Sequence, residues 1–191
     1  MSGNRPKRAM VLAAGLGKRL RPVTDTLPKP LIAVGGHSLL DWSIAHLADA
    51  GIETVVLNLH HLGPMIEAHL ADQTDPAILY SHEESLLDTG GGITKALPML
   101  GDDSFFAANG DSLWLNGPHS ALERMIETWD DARMDGLLML HSTVEAYGYT
   151  GPGDFCVEPG GELTRRPEND VSPYAYTGVQ ILHPRLFEGA T

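Results

Sequence analysis

The amino-acid sequence predicts an α/β fold of the Rossmann-like three-layer type, in which helices cover both faces of a mostly parallel sheet. Two observations predict it. Short apolar runs of strand length recur along the chain, and segments with helical spacing separate them. Strands of a parallel sheet are continuous apolar runs because helices bury both of its faces.

Five apolar segments have the length and composition of buried strands. They are AMVLAA (9–14), TVVLNL (54–59), AILYS (77–81), SFFAAN (104–109) and GLLMLHS (136–142). A helix is predicted to follow Ser38, a suitable N-cap, and to stop at Gly51. Its apolar positions recur at helical spacing, at Leu40, Ile44 and Leu47. Two more helices are predicted, in GPMIEAHLAD with Pro64 near its first turn, and in PHSALERMIETW, which opens with Pro118.

Length and composition predict one domain. A chain of 191 residues with 42% hydrophobic residues is large enough to bury a core of its own. After about residue 145 the sequence becomes rich in Gly and Pro, but no linker or repeat separates this part from the rest. We therefore expect a single domain over 8–191, with a first half over 8–144 and a lid-like second half over 145–191.

Charge is distributed unevenly along the chain. The formal net charge is -12, yet between Ala33 and Glu123 the only Lys or Arg is Lys95. Basic residues instead concentrate before residue 30, at Arg5, Lys7, Arg8, Lys18, Arg19, Arg21 and Lys29. This asymmetry predicts one local anion site on an acidic body. It argues against nucleic acid as a partner, which would need a basic face along the fold.

The compartment can also be predicted. No apolar run approaches the roughly 18 residues of a membrane span, and the N-terminal part lacks a signal-peptide pattern. We therefore expect no membrane association. The single cysteine, Cys156, cannot form an internal disulfide, and a reducing cytoplasm is the expected location.

The segment that follows the first predicted strand, LAAGLGKRLRPVTDTLPKPL, is suited to bind phosphate groups. Gly15 and Gly17 let the backbone turn and bring amides close to an anion, and Lys18 and Arg19 supply positive charge. The third glycine of the dinucleotide fingerprint is missing. The Walker pattern is also absent, because Lys18 is followed by Arg19. Further along, two prolines fix the backbone on either side of Lys29.

The same segment resembles the signature of the sugar-1-phosphate nucleotidyltransferases, L-A-A-G-x-G-x-R-[LM]-x-P-L-T followed by P-K-P-[LM]. Within that family the sequence is most similar to N-acetylmuramate-1-phosphate uridylyltransferases, through NLHHLGPMIEAHL, LLDTGGGITKALPML and NGDSLW. The resemblance extends from Met10 to about His183, and it departs at Val23, where Leu is usual. It implies a nucleotide-diphospho-sugar transferase fold, with nucleotide bound by residues 8–144 and sugar by residues 145–191.

The resemblance also implies roles for individual residues. Arg19 would hold the departing pyrophosphate, Lys29 would contact the phosphate under attack, and Asp111 would bind Mg²⁺. The implied nucleotide-binding residues are Ala13, Ala14, Gly15, Leu16, Gly17, Lys18, Glu83, Asp88, Thr89, Gly90 and Gly91, and LLDTGGGI is expected to form a loop against the base. The implied sugar-phosphate-binding residues are Asn109, Gly148, Arg166, Thr177 and Gly178.

The implied reaction transfers a nucleotidyl group from a nucleoside triphosphate, UTP by resemblance, to a sugar 1-phosphate, N-acetylmuramic acid 1-phosphate by resemblance. Glucose, mannose and N-acetylglucosamine 1-phosphates remain open as substrates. The family pattern Glu-Lys-Pro is replaced here by Arg165-Arg166-Pro167. The carboxylate that this replacement removes could accept from a sugar hydroxyl, so the sequence does not determine which sugar is bound. The motifs are also compatible with a non-catalytic nucleotide-sugar-binding regulatory homologue, and the glycine loop with a molybdopterin- or methylerythritol-type nucleotidyltransferase. The sequence does not indicate the oligomeric state.

The end of the chain leads to a further expectation. Members of the resembling family continue into a W-x-D-V-G-T-like element whose aspartate is a second metal ligand, and this sequence ends before it, at Thr191. We expect the 191-residue chain to bind nucleotide through the loop at Gly15 to Arg21 but to hold metal weakly and turn over poorly, and the natural protein to be longer. Asp154 and Glu158 are the nearest candidates for a replacement carboxylate, and their spacing does not favour either of them.

The paired histidines and the single cysteine are predicted to have structural roles, and the role of one tryptophan is left undecided. His60 and His61 are adjacent, so on a strand they would point to opposite faces, and a structural role is expected for both. Cys156 lies in an apolar run without a basic neighbour and is expected in the core. Trp114 follows Asp111 by three residues and is either a packing residue or a stacking platform.

Overall fold

A central eight-stranded sheet organises residues 5–189, which are the residues described by the computed structural model. In chain order the strands are β1 (Arg8–Leu12), β2 (Ala33–Val34), β3 (His37–Ser38), β4 (Thr54–Leu59), β5 (Ala77–His82), β6 (Phe105–Asn109), β7 (Gly136–Ser142), β8 (Phe155–Val157), β9 (Leu163–Arg165) and β10 (Tyr174–Leu182). The short strands β2 and β3 form a separate hairpin. The helices are α1 (Leu39–Asp49), α2 (Gly63–His69), α3 (Asp88–Leu100) and α4 (Ala121–Thr128).

The first half of the sheet is parallel and the second half is antiparallel. The strand order is β5-β4-β1-β6-β10-β8-β9, and β7 also pairs with β10. Strands β5, β4, β1 and β6 run parallel, with Leu12 aligned to Asn58 on one side and to Asn109 on the other. Strand β10 is antiparallel to β6, β7 and β8. The carboxyl ends of β1, β4, β5 and β6 therefore meet at one edge, where open α/β sheets bind ligands.

The core lies on both faces of this sheet, as predicted for a three-layer fold. Ala9 and Val11 of β1 point to one face, where α1, α2 and α4 pack, whereas Met10 points to the other, where α3 packs. The buried apolar residues of α1 are Leu39, Leu40, Ile44 and Leu47, which include all three predicted positions. Alternate residues of one strand thus pack into the hydrophobic clusters on opposite faces of the sheet, because successive side chains of a strand point to opposite faces.

Most of the predicted strands and helix signals are confirmed. Strands β4 and β7 have the predicted bounds, and Ser38 caps α1 in a capping box with Asp41. Gly51 follows α1 with a φ of 76°, and Pro64 lies at the start of α2.

Several boundaries differ from the predictions, and the structure gives a physical reason for two of them. Strand β1 ends at Leu12, because the backbone N–H of Ala13 donates to the Asn58 side chain at 2.8 Å instead of continuing the ladder. Helix α4 does not begin at Pro118. It begins at Ala121, where the Ser120 hydroxyl accepts a hydrogen bond from the backbone N–H of Glu123.

The single domain over 8–191 remains a prediction, and its last two residues, 190 and 191, lie outside the described residues. Among residues 5–189, no helix combines the length and the hydrophobicity that crossing a membrane requires.

Candidate active site

A cavity of about 250 Å³ opens at the carboxyl edge of β1 and β6. It brings together most of the residues that were predicted to bind phosphate groups. Its lining consists of Leu12, Ala13, Gly15, Gly17, Lys18, Arg19, Leu20, Lys29, Pro30 and Asp111. Three cationic side chains and one carboxylate therefore share one small cavity, as expected for a site that binds phosphates next to a metal ion.

The glycine loop is held in shape by Thr24. Gly17 has a φ of 58°, and a Cβ on it would lie 2.8 Å from the Thr24 methyl carbon. The buried Thr24 hydroxyl donates to the carbonyl oxygen of Gly17 at 2.9 Å. Gly17 is thus required both by its left-handed conformation and by this close approach.

Lys18 and Arg19 follow the loop in a short 3-10 helix, Lys18–Leu20, with no buried residue. Neither side chain has a hydrogen bond or an ion pair within residues 5–189. Two unpaired cations beside exposed loop amides are available to an anionic ligand.

Lys29 and Asp111 form an ion pair across the cavity. Lys29 starts the 3-10 helix Lys29–Leu31 and Asp111 follows β6, so both lie at the edge where the strands end. Gly110 allows this arrangement, because its N–H donates to the carbonyl oxygen of Leu12 at 2.9 Å. A Cβ on Gly110 would lie 2.9 Å from that same oxygen, too close for any other residue.

The start of the antiparallel half packs against this edge. Gly178 has a φ of 86°, and a Cβ on it would lie 2.6 Å from Nδ2 of Asn109. The sequence did not indicate Ser112, whose hydroxyl donates to the carbonyl oxygen of Thr177 at 2.8 Å. The Thr177 hydroxyl itself donates to the carbonyl oxygen of Met139. Asn109 and Gly178 are therefore in contact, as expected for parts of one site, but the Thr177 hydroxyl has a backbone partner.

The predicted loop LLDTGGGI is not a loop. Residues 88–92 are the first residues of α3, and Asp88 itself has a φ of 56°. The structure thus favours the start of a helix, whose first N–H groups have no partner within the helix and are exposed here with Gly90 and Gly91. Asp88, Thr89, Gly90 and Gly91 do not line the cavity described above.

Glu83, predicted to bind nucleotide, is buried and bonded to protein groups. Its Oε1 accepts from Nδ2 of Asn58 at 2.7 Å, and its Oε2 accepts from the backbone N–H of Leu87 at 3.0 Å. Asn58 was not predicted as a site residue. The signal for it was an amide side chain inside an otherwise apolar strand, TVVLNL.

A second cavity, of about 520 Å³, lies in the antiparallel half. Its lining consists of Leu138, Gly153, Asp154, Phe155, Arg165, Arg166, Tyr176 and Gln180. Burial raises the pKa of the Tyr176 phenol to about 12, so its hydroxyl stays protonated at neutral pH. Gly148, another predicted sugar-site residue, is exposed and lines neither of these two cavities.

The two arginines of the second cavity differ in their partners. The Arg166 guanidinium donates to the backbone carbonyl oxygens of Gly153, Pro167, Glu168 and Asp170. It holds the turns of the second half together rather than being free for a ligand. The Arg165 side chain is exposed and has no hydrogen bond or ion pair within the described part of the chain.

The residues that were assigned structural roles have the following environments. The His60 and His61 rings each hydrogen-bond a different backbone carbonyl, of Glu83 at 2.9 Å and of Thr24 at 3.0 Å. Trp114 packs on the core and stacks on His46, with ring centroids 4.6 Å apart, so it is a packing residue. Cys156 is only half-buried, because it lies in the short strand β8 at the end of the sheet, and its core assignment was wrong.

Residues 8–190 match the sequence profile of the nucleotidyl transferase family. The chain belongs to this family. Two relatives are N-acetylmuramate alpha-1-phosphate uridylyltransferases. The protein from Caulobacter vibrioides is 41% identical over 186 residues, which cover 95% of this chain and 77% of that one. The protein from Neisseria meningitidis serogroup B is 38% identical over 186 residues, covering 95% and 78%.

A solved structure shows the same fold for this nucleotidyl transferase. A UDP-glucose pyrophosphorylase complexed with UDP-glucose superimposes with a TM-score of 0.76, at 20% sequence identity, covering 95% of this chain and 78% of that one. The mostly parallel sheet with helices on both faces is thus the nucleotide-diphospho-sugar transferase fold, as predicted.

Proposed function

We propose that this nucleotidyl transferase joins the uridylyl group of UTP to N-acetylmuramic acid 1-phosphate and releases pyrophosphate. The observation that carries the proposal is the shared cavity in which the glycine loop, Arg19, Lys29 and Asp111 meet. The names of the two uridylyltransferase relatives support the choice of nucleotide and sugar.

The chemistry is one displacement at the α-phosphorus. A phosphate oxygen of the sugar 1-phosphate forms the new bond, and the bond from the α-phosphorus to the oxygen bridging it to the β-phosphorus breaks. The electron pair of that bond leaves with pyrophosphate, so no covalent enzyme intermediate is needed. The protein has to hold two mutually repelling anions in line and neutralise the charge that develops.

The cationic residues of the cavity suit these tasks. Lys29 lies opposite Asp111 and would donate to the α-phosphate oxygens. Arg19 and Lys18, which have no protein partner within residues 5–189, would hold the pyrophosphate that leaves. Backbone amides after Ala14 would contact the triphosphate, since the space around Gly15 is open and neither Gly15 nor Gly17 has a side chain to cover them.

Asp111 is the residue we propose to hold Mg²⁺. Within residues 5–189 there is no cluster of three or more His, Cys, Asp or Glu that fits a metal ion, and Asp111 is the one carboxylate that lines the cavity. One carboxylate combined with substrate phosphate oxygens suits Mg²⁺, which commonly keeps several waters. Magnesium bound there would neutralise phosphate charge.

The second cavity is our candidate for the sugar site. N-acetylmuramic acid carries a lactyl carboxylate that glucose, mannose and N-acetylglucosamine lack. Arg165 lines this cavity with an unpaired guanidinium, and an arginine is well suited to hold a carboxylate. Arg165 stands where the family pattern has Glu, and binding of an acidic sugar by its guanidinium would give this departure a physical reason.

We place the reaction in the cytoplasm, where nucleoside triphosphates are available. The competing proposal, a regulatory homologue that only binds nucleotide sugar, is less favoured because both Lys29 and Asp111 line the cavity.

The test is a panel of UTP, CTP, GTP and ATP against the 1-phosphates of N-acetylmuramic acid, N-acetylglucosamine, glucose and mannose, with Mg²⁺ and measured pyrophosphate release. The expected result is fastest release with UTP and N-acetylmuramic acid 1-phosphate. Preference for GTP with mannose 1-phosphate would overturn the uridylyl assignment. Nucleotide binding without any pyrophosphate release would support the regulatory homologue instead.

A further inference from the structure

A chain of three hydrogen bonds, two of them buried and one partly buried, joins the first residue after β1 to the residue before α3. The backbone N–H of Ala13 donates to Oδ1 of Asn58 at 2.8 Å, and Nδ2 of Asn58 donates to Oε1 of Glu83 at 2.7 Å. The backbone N–H of Leu87 donates to Oε2 of Glu83 at 3.0 Å. Asn58 and Glu83 are 3% and 5% exposed, so water does not compete for the first two bonds, whereas the third is only partly buried because Leu87 is exposed.

We infer that Asn58 and Glu83 are positioning residues that fix the phosphate-binding loop relative to the start of α3. Ala13 lines the small cavity, and Leu87 is the N-cap of α3. One of the two backbone segments that this chain of bonds joins therefore lines the cavity, and the other begins the segment that was predicted to contact the base. The inference rests on the proposed function, because it concerns how the nucleotide is held.

The direction of the bonds determines which side chains can occupy the two positions. A backbone N–H can only donate, so the group at position 58 must turn an acceptor toward Ala13. Its other end must then match position 83. At position 83 the side chain receives two hydrogen bonds, one from the backbone N–H of Leu87 and one from the Asn58 amide. A carboxylate with two accepting oxygens fits this position, and an amide with only one accepting oxygen does not. Replacing Asn58 alone by a carboxylate places two acceptors opposite each other, and replacing Glu83 alone by an amide places two amide groups opposite each other.

The surrounding residues leave these side chains little freedom. A Cβ on Gly92 of α3 would lie 2.8 Å from Oε1 of Glu83 and 2.9 Å from Nδ2 of Asn58, so the helix backbone packs directly against the Asn58–Glu83 bond. The His60 ring hydrogen-bonds the carbonyl oxygen of Glu83 on the other side. Asn58 thus cannot reach a second partner without moving α3 or the end of β5.

A double-mutant cycle tests this inference. In Asn58→Asp two carboxylates face each other, and in Glu83→Gln two amide groups compete for the same acceptors. The double variant, which carries both changes, again gives every donor an acceptor. The carboxylate introduced at position 58 accepts from Ala13 and from the amide introduced at position 83, whose oxygen accepts from Leu87. Each single change is expected to raise the KM for UTP roughly tenfold or more, as expected when a buried polar group is left unsatisfied, and the double variant to return close to the native KM.

Ser81→Ala is the matched control. Ser81 lies opposite Asn58 in the register of β4 and β5 and is 2% exposed. Its hydroxyl has no hydrogen-bond partner among the described residues. Removing this buried polar group is expected to leave the KM for UTP unchanged. The KM and kcat for UTP, and the thermal unfolding midpoint, are measured for all five proteins.

The outcomes separate positioning from a purely structural role. A double variant whose KM for UTP is as high as that of the more impaired single variant would overturn the inference. Single variants that lose thermal stability but keep the native KM would overturn it too. Single variants that fail to fold leave the double variant decisive, because only a restored network would let it fold and bind UTP. If the native chain releases no pyrophosphate, the proposed function fails. The affinity of the same variants for UTP is then measured by calorimetry. If the native chain does not bind UTP either, both the proposed function and the positioning inference are overturned.

Discussion

The ammonium group of Lys29 is ion-paired with the carboxylate of Asp111, 82 residues away in the sequence. Both side chains are about two-thirds buried, and both line the small cavity. Each charge offsets the other, so the pair keeps the cavity from carrying an isolated buried charge. A triphosphate with its metal ion brings a new partner to each member, an anion to Lys29 and a cation to Asp111. Substrate binding is therefore expected to separate this pair.

Lys29→Ala is expected to lower kcat by roughly two to three decades, as loss of one transition-state charge contact does. The thermal unfolding midpoint should fall as well, because Asp111 loses its ion-pair partner, so turnover is compared at a temperature at which both proteins are folded. Pyrophosphate release under saturating UTP is the measurement. Lys7→Ala is the control, since it removes a lysine from an exposed ion pair with Glu53. Native turnover in the Lys29 variant would exclude this residue from the mechanism.

Asp111→Asn is expected to raise the Mg²⁺ concentration needed for half-maximal activity by roughly tenfold or more, since losing even an outer-shell partner can cost that much. The amide keeps the size of the side chain but loses the charge that attracts the cation. The measurement is initial rate against Mg²⁺ concentration at fixed UTP. Asp102→Asn, at an exposed position before β6, is the control for lowering the acidic charge outside the cavity. An unchanged Mg²⁺ dependence would show that Asp111 does not hold the ion.

Arg165→Ala is expected to lower kcat/KM for N-acetylmuramic acid 1-phosphate by roughly ten- to a hundredfold, the range for losing a hydrogen bond to a charged group. N-acetylglucosamine 1-phosphate has no lactyl carboxylate, so its kcat/KM should stay the same. The ratio of the two values is the measured quantity. Equal losses for both sugars would mean that Arg165 does not recognise the carboxylate.

The Asp41 carboxyl, at the start of α1, is expected to make the free energy of unfolding depend on pH. Burial raises the pKa of the Asp41 carboxyl, but hydrogen bonds from His69 and Ser38 outweigh it and hold this pKa below the ordinary 3.8. A carboxyl with a lowered pKa in the folded state stabilises the fold above the unfolded-state pKa. This contribution is lost as the pH falls through the lower, folded-state pKa.

Asp41→Asn is therefore expected to be less stable than the native chain at pH 6, with a difference that shrinks below about pH 4. Urea unfolding at several pH values measures it. Ser38→Ala, which removes the N-cap hydroxyl, should lower stability by about 1 kcal/mol. A difference between Asp41→Asn and the native chain that stays constant down to pH 3 would contradict the assignment of the lowered pKa to Asp41.

Local patterns in the sequence were sufficient for most of the parallel half. TVVLNL has the predicted strand bounds because a continuous apolar run is typical of a strand that is buried on both faces. GLLMLHS, in the antiparallel half, also has the predicted bounds, although its residues are only half-buried or exposed. Ser38 was identified as an N-cap because its hydroxyl bonds a backbone group three residues away. The meeting of the glycine loop with Asp111 also followed, since the carboxyl ends of β1 and β6 share one edge.

The partners of buried polar groups were decided only by the tertiary structure. Glu83 lies 25 residues from Asn58, and nothing in either local pattern indicates that the pairing of β4 with β5 brings the two side chains together. Arg166 was expected at the sugar but is bonded to four carbonyls, because the turns around it present them. The glycines of LLDTGGGI form the start of a helix, since Gly92 fits against Asn58 and Glu83. Apolar periodicity is a local property of the chain, whereas the partner of a buried donor or acceptor depends on which strands become neighbours.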